Sequence, residues 1–215
     1  MENLQELFED TIKDLYNAEK QFLKAMPKLV TAAQDSKLKR TIQDHMVQTE
    51  AHISRLEEVA KIGGFKPTGK VCKAAQGLVE ECQEHLEEGT PGPTLDAAII
   101  CCAQKNEHYE ITSYGTVIAW ADVLSYPEIS ALLQQTLSEE ISADDLLTEV
   151  SSSVNTAAAS GNSSKTRKPH EDKGKSQSNT QKGSGAKATV RSSINSETPQ
   201  KGATSGRKEK VSSRR

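Results

Sequence analysis

The segment Glu107-His108-Tyr109-Glu110-Ile111-Thr112-Ser113-Tyr114-Gly115-Thr116-Val117-Ile118 decides how this chain is read. Ile111, Tyr114 and Ile118 recur three and four residues apart, the spacing of one helix face, and Glu107 stands on that same face with Glu110 one turn on. A carboxylate on the apolar side of a helix is costly to bury unless it is paired or bound to a cation. The segment therefore predicts both a helix and a reason to look for ligands elsewhere.

Working outward, the same periodicity spans about 94–123, and after Ser125-Tyr126-Pro127 it resumes over about 127–150 through Ile129, Leu132, Leu133, Leu137, Ile141 and Leu147. Toward the N-terminus, Leu4, Leu7, Phe8, Ile12, Leu15, Phe22, Leu23, Met26, Leu29 and Val30 predict a helix over roughly 3–33, with a kink expected at Pro27. A second run follows Asp35-Ser36 from Leu38 to Val59 and ends at Gly63-Gly64. Between the two pairs, Val71 to Leu86 reads as a connector helix, bounded by Lys66-Pro67-Thr68-Gly69 and Gly89-Thr90-Pro91-Gly92-Pro93. No segment alternates with period two for long enough to be a strand, so the fold class is all-α. Short breaks near 33–36 and 124–127 make two antiparallel hairpins. The long Gly63–Pro93 span serves as one crossover, the connectivity of a ferritin-like four-helix bundle.

Composition divides the chain into 1–150, expected to be the bundle, and 151–215, expected to be a disordered basic tail. Residues 1–150 carry 13 Lys/Arg against 26 Asp/Glu; residues 151–215 carry 14 against 4 and contain no aromatic residue, Leu, Met or Cys. Too little apolar surface remains after 150 to offset the entropy of ordering. Such an arm is either a solubilising appendage or a nonspecific nucleic-acid contact, best carried by Lys165-Thr166-Arg167-Lys168 and Arg207-Lys208-Glu209-Lys210. Cys72, Cys82, Cys101 and Cys102 lack zinc-type spacing and read as small buried hydrophobes. Met1-Glu2-Asn3-Leu4 lacks the features of a secretion signal, and no apolar stretch approaches the ~20 residues needed to cross a bilayer, so a cytoplasmic protein without a membrane partner is expected.

Polar groups on the apolar faces converge. Helix one contributes Glu19; helix two His45, Gln48 and His52; helix four Glu107 and Glu110; helix five Glu140 and Asp144. Counting from the turns gives a common depth. Glu19 precedes the first turn by about as many residues as Gln48 and His52 follow it, which puts them roughly 23 Å from that end at ~1.5 Å per residue. Glu107, Glu140 and Asp144 lie at similar distances from the second turn. One Glu on a helix and a partner helix with further ligands, used twice, is how dinuclear iron and manganese bundles are built. The expected metal ligands are Glu19, Gln48, His52, Glu107, Glu110, Glu140 and Asp144, around two ions of Fe or Mn bridged by Glu19 and Glu107. His45 and His108 are expected to support the site by hydrogen bonding, Glu139 to belong to a solvated face, and Tyr16, Tyr109 and Tyr114 to be core residues.

Four segments carry a resemblance to the YciE/YciF family of ferritin-like proteins: Asp14-Leu15-Tyr16-x-Ala18-Glu19-Lys20-Gln21; His45-x-x-Gln48-Thr49-x-x-His52-x-x-Arg55-Leu56; Glu107-His108-Tyr109-Glu110-Ile111-x-x-Tyr114-Gly115-Thr116; and Leu132-Leu133-x-x-Thr136-Leu137-x-Glu139-Glu140. The resemblance covers residues 1–150. It implies a ferritin-like bundle, iron or manganese binding, a homodimer and a link to bacterial stress responses. Many members carry Glu where Gln48 stands, and a neutral amide is a weaker ligand for a hard cation. The chemistry expected is reaction with peroxide or dioxygen, or metal sequestration. The alternative is a non-catalytic stress-associated interaction protein, with the basic tail as a contact for nucleic acid.

Overall fold

Why the helices start and stop where they do is written in their ends. Asn3 caps the first by accepting the Glu6 amide at 2.9 Å, and the Glu6 carboxylate returns to the Glu2 amide. Asp35 caps the second through the amides of Lys37 and Leu38, and Gly64 closes it at φ 76°, a left-handed conformation that favours glycine. Pro93 opens the fourth at a position where its missing N–H costs nothing. The computed structural model describes residues 1–161 as five helices: α1 Leu4–Ala32, α2 Ser36–Gly63, α3 Lys73–Glu88, α4 Pro93–Val123 and α5 Pro127–Gly161. Among the described residues there is no strand.

The hairpins α1/α2 and α4/α5 pack together through α2 against α5 and α1 against α4, while α3 lies on α1 and α4. This is the all-α, ferritin-like arrangement expected, with α3 as the connector. Pro27 sits inside an uninterrupted α1. Two polar ties fix the hairpins to each other. The buried carboxylate of Asp96 on α4 accepts the amides of Gln34 and Asp35 at 2.7 and 2.9 Å, clamping the α1–α2 turn. At the start of α3, the Cys72 amide donates to Asn17 Oδ1 at 2.8 Å, and Tyr109 donates to Asp14 at 2.9 Å with Cys72 Sγ 3.2 Å away. No helix among the described residues is long and apolar enough to cross a membrane.

The apolar interior falls into two clusters. One holds Phe22, Met26, Leu29, Leu38, Ile42, Ile99 and Leu147 with the inner side of α3; the other holds Phe8, Ile12, Leu15, Leu56, Tyr114, Ile129 and Leu133. On each of the four long helices, buried polar residues occupy the level between them: Glu19; His45, Thr49 and His52; Asn106, Glu107 and Glu110; Thr136 and Glu140. Cys72, Cys82 and Cys102 are buried as expected, whereas Cys101 is exposed.

Two readings need correction. Helix five does not stop near 150 but runs to Gly161, because Leu147, Val150 and Val154 continue its buried stripe and Ser and Thr hydroxyls bond back to carbonyls three and four residues earlier. One branched residue, Val154, was too weak a signal in a Ser-rich sequence. Ile141, read as inward, is exposed. The remainder of the expected tail, with its disorder and its nucleic-acid contact, lies outside the described residues.

Candidate metal centre

Glu19 on α1 is fully packed, and the Tyr114 hydroxyl of α4 donates to its Oε1. Opposite it stands His52 of α2, with Nδ1 3.4 Å from Glu19 Oε1 and 2.9 Å from Glu140 Oε1 of α5. The other ring nitrogen, Nε2, lies 2.8 Å from Glu139 Oε2, and Arg55 grips both oxygens of Glu139 at 2.7 and 2.8 Å while also donating to Thr136. That arrangement keeps a proton on His52 Nε2, since Glu139 held by arginine can only accept, and makes Nδ1 the nitrogen that faces the carboxylates and would offer its lone pair to a cation in exchange for its own proton.

His45 repeats the device one level along. Its Nδ1 is 3.2 Å from Gln48 Oε1, and its Nε2 faces Glu107 Oε1 at 3.2 Å and Glu140 Oε2 at 3.6 Å. A glutamine oxygen accepts, so Nδ1 carries the proton and Nε2 offers its lone pair inward. Glu110, one turn beyond Glu107, is buried beside Glu19, Glu107 and Glu140.

Two sets of side chains could each hold an ion: His45, Glu107, Glu110 and Glu140, and Glu19, His52 and Glu140; within each set the ligand atoms all lie within 4.8 Å of one another. Donors about 2.1 Å from a common ion stand up to roughly 4 Å apart, so little adjustment separates these sets from coordination. Glu140 belongs to both. Glu19 Oε2, His52 Nδ1, Glu107 Oε2, Glu110 Oε1 and both Glu140 oxygens are buried without a hydrogen bond. The 2.9 Å approach of His52 Nδ1 to Glu140 Oε1 is thus close but not aligned as a bond. Lone pairs crowded around a shared centre fit a cation, because buried acceptors with no donor otherwise carry an uncompensated desolvation cost.

The protonation preferences report the same crowding. Burial first, and then the charge of Glu140, pushes Glu107 well above the usual carboxylate range; burial and then the charges of Glu19 and Glu140 do so for Glu110. Burial also raises Glu19, although His52 and Tyr114 pull against it. Burial alone would lower His52, but the carboxylates of Glu140 and Glu19 outweigh it and push it up to about 10. Burial opposes ionisation of Glu140 and Glu139 as well, yet His52 holds Glu140 low, and Arg55 with His52 holds Glu139 low.

Of the seven residues expected from sequence, Glu19, His52, Glu107, Glu110 and Glu140 come together. Gln48 is half-buried, and its Oε1 meets His45 Nδ1, the ring nitrogen other than the one facing Glu107. Asp144 does not join them; it is half-buried and faces outward to His108 Nε2 at 3.3 Å and Gln104 Nε2 at 3.1 Å. His45, expected only to support the site, faces its centre, and Glu139, expected to be solvated, bridges Arg55 and His52. A signal for His45 existed in its position two turns before His52 on one face.

Several known proteins are similar to this chain. A family described as Domain of unknown function (DUF892) matches residues 3–160. Protein YciF of Escherichia coli strain K12 is 37% identical over 151 residues, which is 70% of this chain and 91% of that protein. The crystal structure of the E. coli stress protein YciF matches with a TM-score of 0.70 at 36% identity, covering 73% of this chain and 99% of that one. YcfI from Rhodopseudomonas palustris matches with a TM-score of 0.66 at 38% identity, covering 69% and 94%.

Proposed function

This chain belongs to the YciE/YciF, DUF892 family, and from that premise we propose that it is a bacterial stress-associated protein binding two ions of iron or manganese at mid-bundle. The observation that carries the reading is Glu140, whose two unpaired oxygens stand in both candidate sets. Carboxylate and imidazole donors suit Fe or Mn. Glu19 and His52 would hold one ion, and His45, Glu107 and Glu110 the other, with Glu140 within reach of both. This replaces the bridging by Glu19 and Glu107 expected from sequence, since those two residues stand in different sets.

Bound ions would supply one-electron exchange at each centre, matching the two electrons and two protons that turn hydrogen peroxide into two waters. The chain's own residues prepare that chemistry. Tyr114 occupies Glu19 Oε1 and leaves Oε2 for the cation; Gln48 and the Arg55–Glu139 pair keep each imidazole in the tautomer whose lone pair points inward. The two apolar clusters keep bulk water from the site. A cytoplasmic setting and a homodimer, to be checked by sedimentation, go with the reading.

Metal analysis tests it. Full-length protein loaded with Fe(II) or Mn(II) should hold two ions per chain, Glu19→Ala should lose one, and Glu140→Ala should lose both. Unchanged metal content in both variants overturns the ligand assignment. Metal-free protein as heat-stable as loaded protein would instead favour a non-catalytic interaction protein.

A further inference from the structure

Between α2 and α5 the surface opens into a concavity of about 310 Å³ whose rim carries Lys37, Arg40, Asp44, Leu146 and Glu149. Behind it lies a cavity of about 20 Å³ lined by Met26, Leu29, Ile42, Ala103, Asn106 and Leu147, which reaches Glu107. Thr41, His45 and Ala143 line both spaces. The two therefore meet at a throat made of one residue pair from α2 and one small residue from α5. Ala143 and His45 are buried and Thr41 is half-buried, so the throat is closed by a methyl group, an imidazole edge and the threonine side chain.

The inner space is small and chemically uneven. About 10–15 Å³ of such volume suffices for one water, so this cavity takes a molecule of two or three heavy atoms and nothing larger. Its walls are mostly apolar, which disfavours a hydrated cation. Beside Thr41, His45 and Glu107, the polar group on this wall is Asn106: it is 8% exposed, and its Oδ1 is buried with no hydrogen-bond partner. An amide left unpaired in an apolar wall costs stability unless a guest completes it. The guest must bring a hydrogen-bond donor, which hydrogen peroxide shares with water and dioxygen lacks.

We propose that this throat and cavity are the path by which hydrogen peroxide reaches the mid-bundle site, with Asn106 as its hydrogen-bonding end point. The chemistry awaiting the guest rests on the metal reading above, but the path itself does not. Peroxide arriving beside Asn106 shares the cavity with the His45 and Glu107 side chains, whereas Glu19 does not line it.

The test uses the full chain stripped of metal by a chelator. Ile42→Cys places a thiol on the cavity wall, within a helix that has no native cysteine, and exposed Cys101 serves as the internal reference. Oxidation of each thiol to sulfenic acid, with release of water from peroxide, is read residue by residue by mass spectrometry, alongside reaction with a bulky aromatic disulfide. Relative to Cys101, the cavity thiol should react with peroxide at least about tenfold more readily than with the disulfide, because only the smaller reagent passes a throat this tightly packed. Adding Ala143→Leu should slow the cavity thiol about fivefold or more without changing Cys101. Thr41→Leu narrows the same throat from α2 should the α5 substitution unfold the bundle, and Asn106→Leu, which fills the cavity's polar end, should slow it too. Equal rates with and without the folded blocking variants, or no discrimination between reagents, overturn the path. Because no metal is present, this result and the metal analysis can fail independently.

Discussion

The two apolar clusters and the polar level between them are buried to the same degree and pull in opposite directions. Phe8 and Phe22, on either side, are each at most 1% exposed, and so are Glu19 and Glu140 in the middle. Burying a phenylalanine contributes about 1.5–3 kcal/mol. Burying a carboxylate without its donor costs free energy, several kcal/mol per ion even after relaxation. The difference teaches that the ends of this bundle supply stability and the middle consumes it, so the middle must be retained for something other than stability.

The largest effect expected from that comparison lies at the ends. Phe8→Ala or Phe22→Ala should destabilise the protein by about 3–5 kcal/mol in urea or thermal unfolding, in either cluster alike. A loss below about 1 kcal/mol in one of them would show that its half is not a true core. In the middle the sign should reverse. Glu110→Leu should stabilise metal-free protein by about 1–4 kcal/mol while lowering metal capacity. Destabilisation of the metal-free form would mean that the polar level is satisfied by itself.

Next comes the support around the site. Arg55→Ala frees Glu139 and with it the tautomer of His52, and should weaken metal affinity about 10- to 100-fold at unchanged stoichiometry, read by titration.

The pH response sharpens the comparison further. Glu19, Glu107 and Glu110 are raised, so their contribution to folding is present below the ordinary carboxylate range and is lost as pH rises through the shifted values. For His52 it is present below 6.5 and lost as pH climbs toward about 10. Glu140 and Glu139, held low, contribute above 4.5 and lose that contribution only as pH falls below it. Metal-free protein should therefore melt at its highest temperature in mild acid and lose some degrees from pH 6.5 to 10. Loaded protein should instead lose its ions on acidification, as protons compete for the same lone pairs. The smallest effect is expected at Asp144→Asn, within about 0.5 kcal/mol and without change in metal content, since its side chain faces outward.

Much of the site was legible because helical spacing and turn lengths are properties of the backbone. Counting from the two turns brought Glu19, His52, Glu107 and Glu140 to one level, with Glu110 one turn from Glu107, and the structure gathers those five. Flanks were not legible. Gln48 and Thr49 stand on the two sides of the line joining His45 to His52, and only packing made Thr49 the buried one. Ala143 and Asp144 flank the corresponding line from Glu140 to Leu147, and the smaller residue turned inward. Glu139 could not be read at all without its partner, because Arg55 lies on another helix.

By itself the sequence determined five helices, their antiparallel pairing, the crossover and the depth of the polar level, all of which follow from local periodicity and chain length. Only tertiary structure decided which edge of each stripe faces inward, which proton each imidazole keeps, and that one carboxylate is shared by two sets. Those choices depend on side chains brought together from separate helices, where rotation by a fraction of a turn, invisible in residue spacing, separates a lone pair that meets its neighbours from one that meets water.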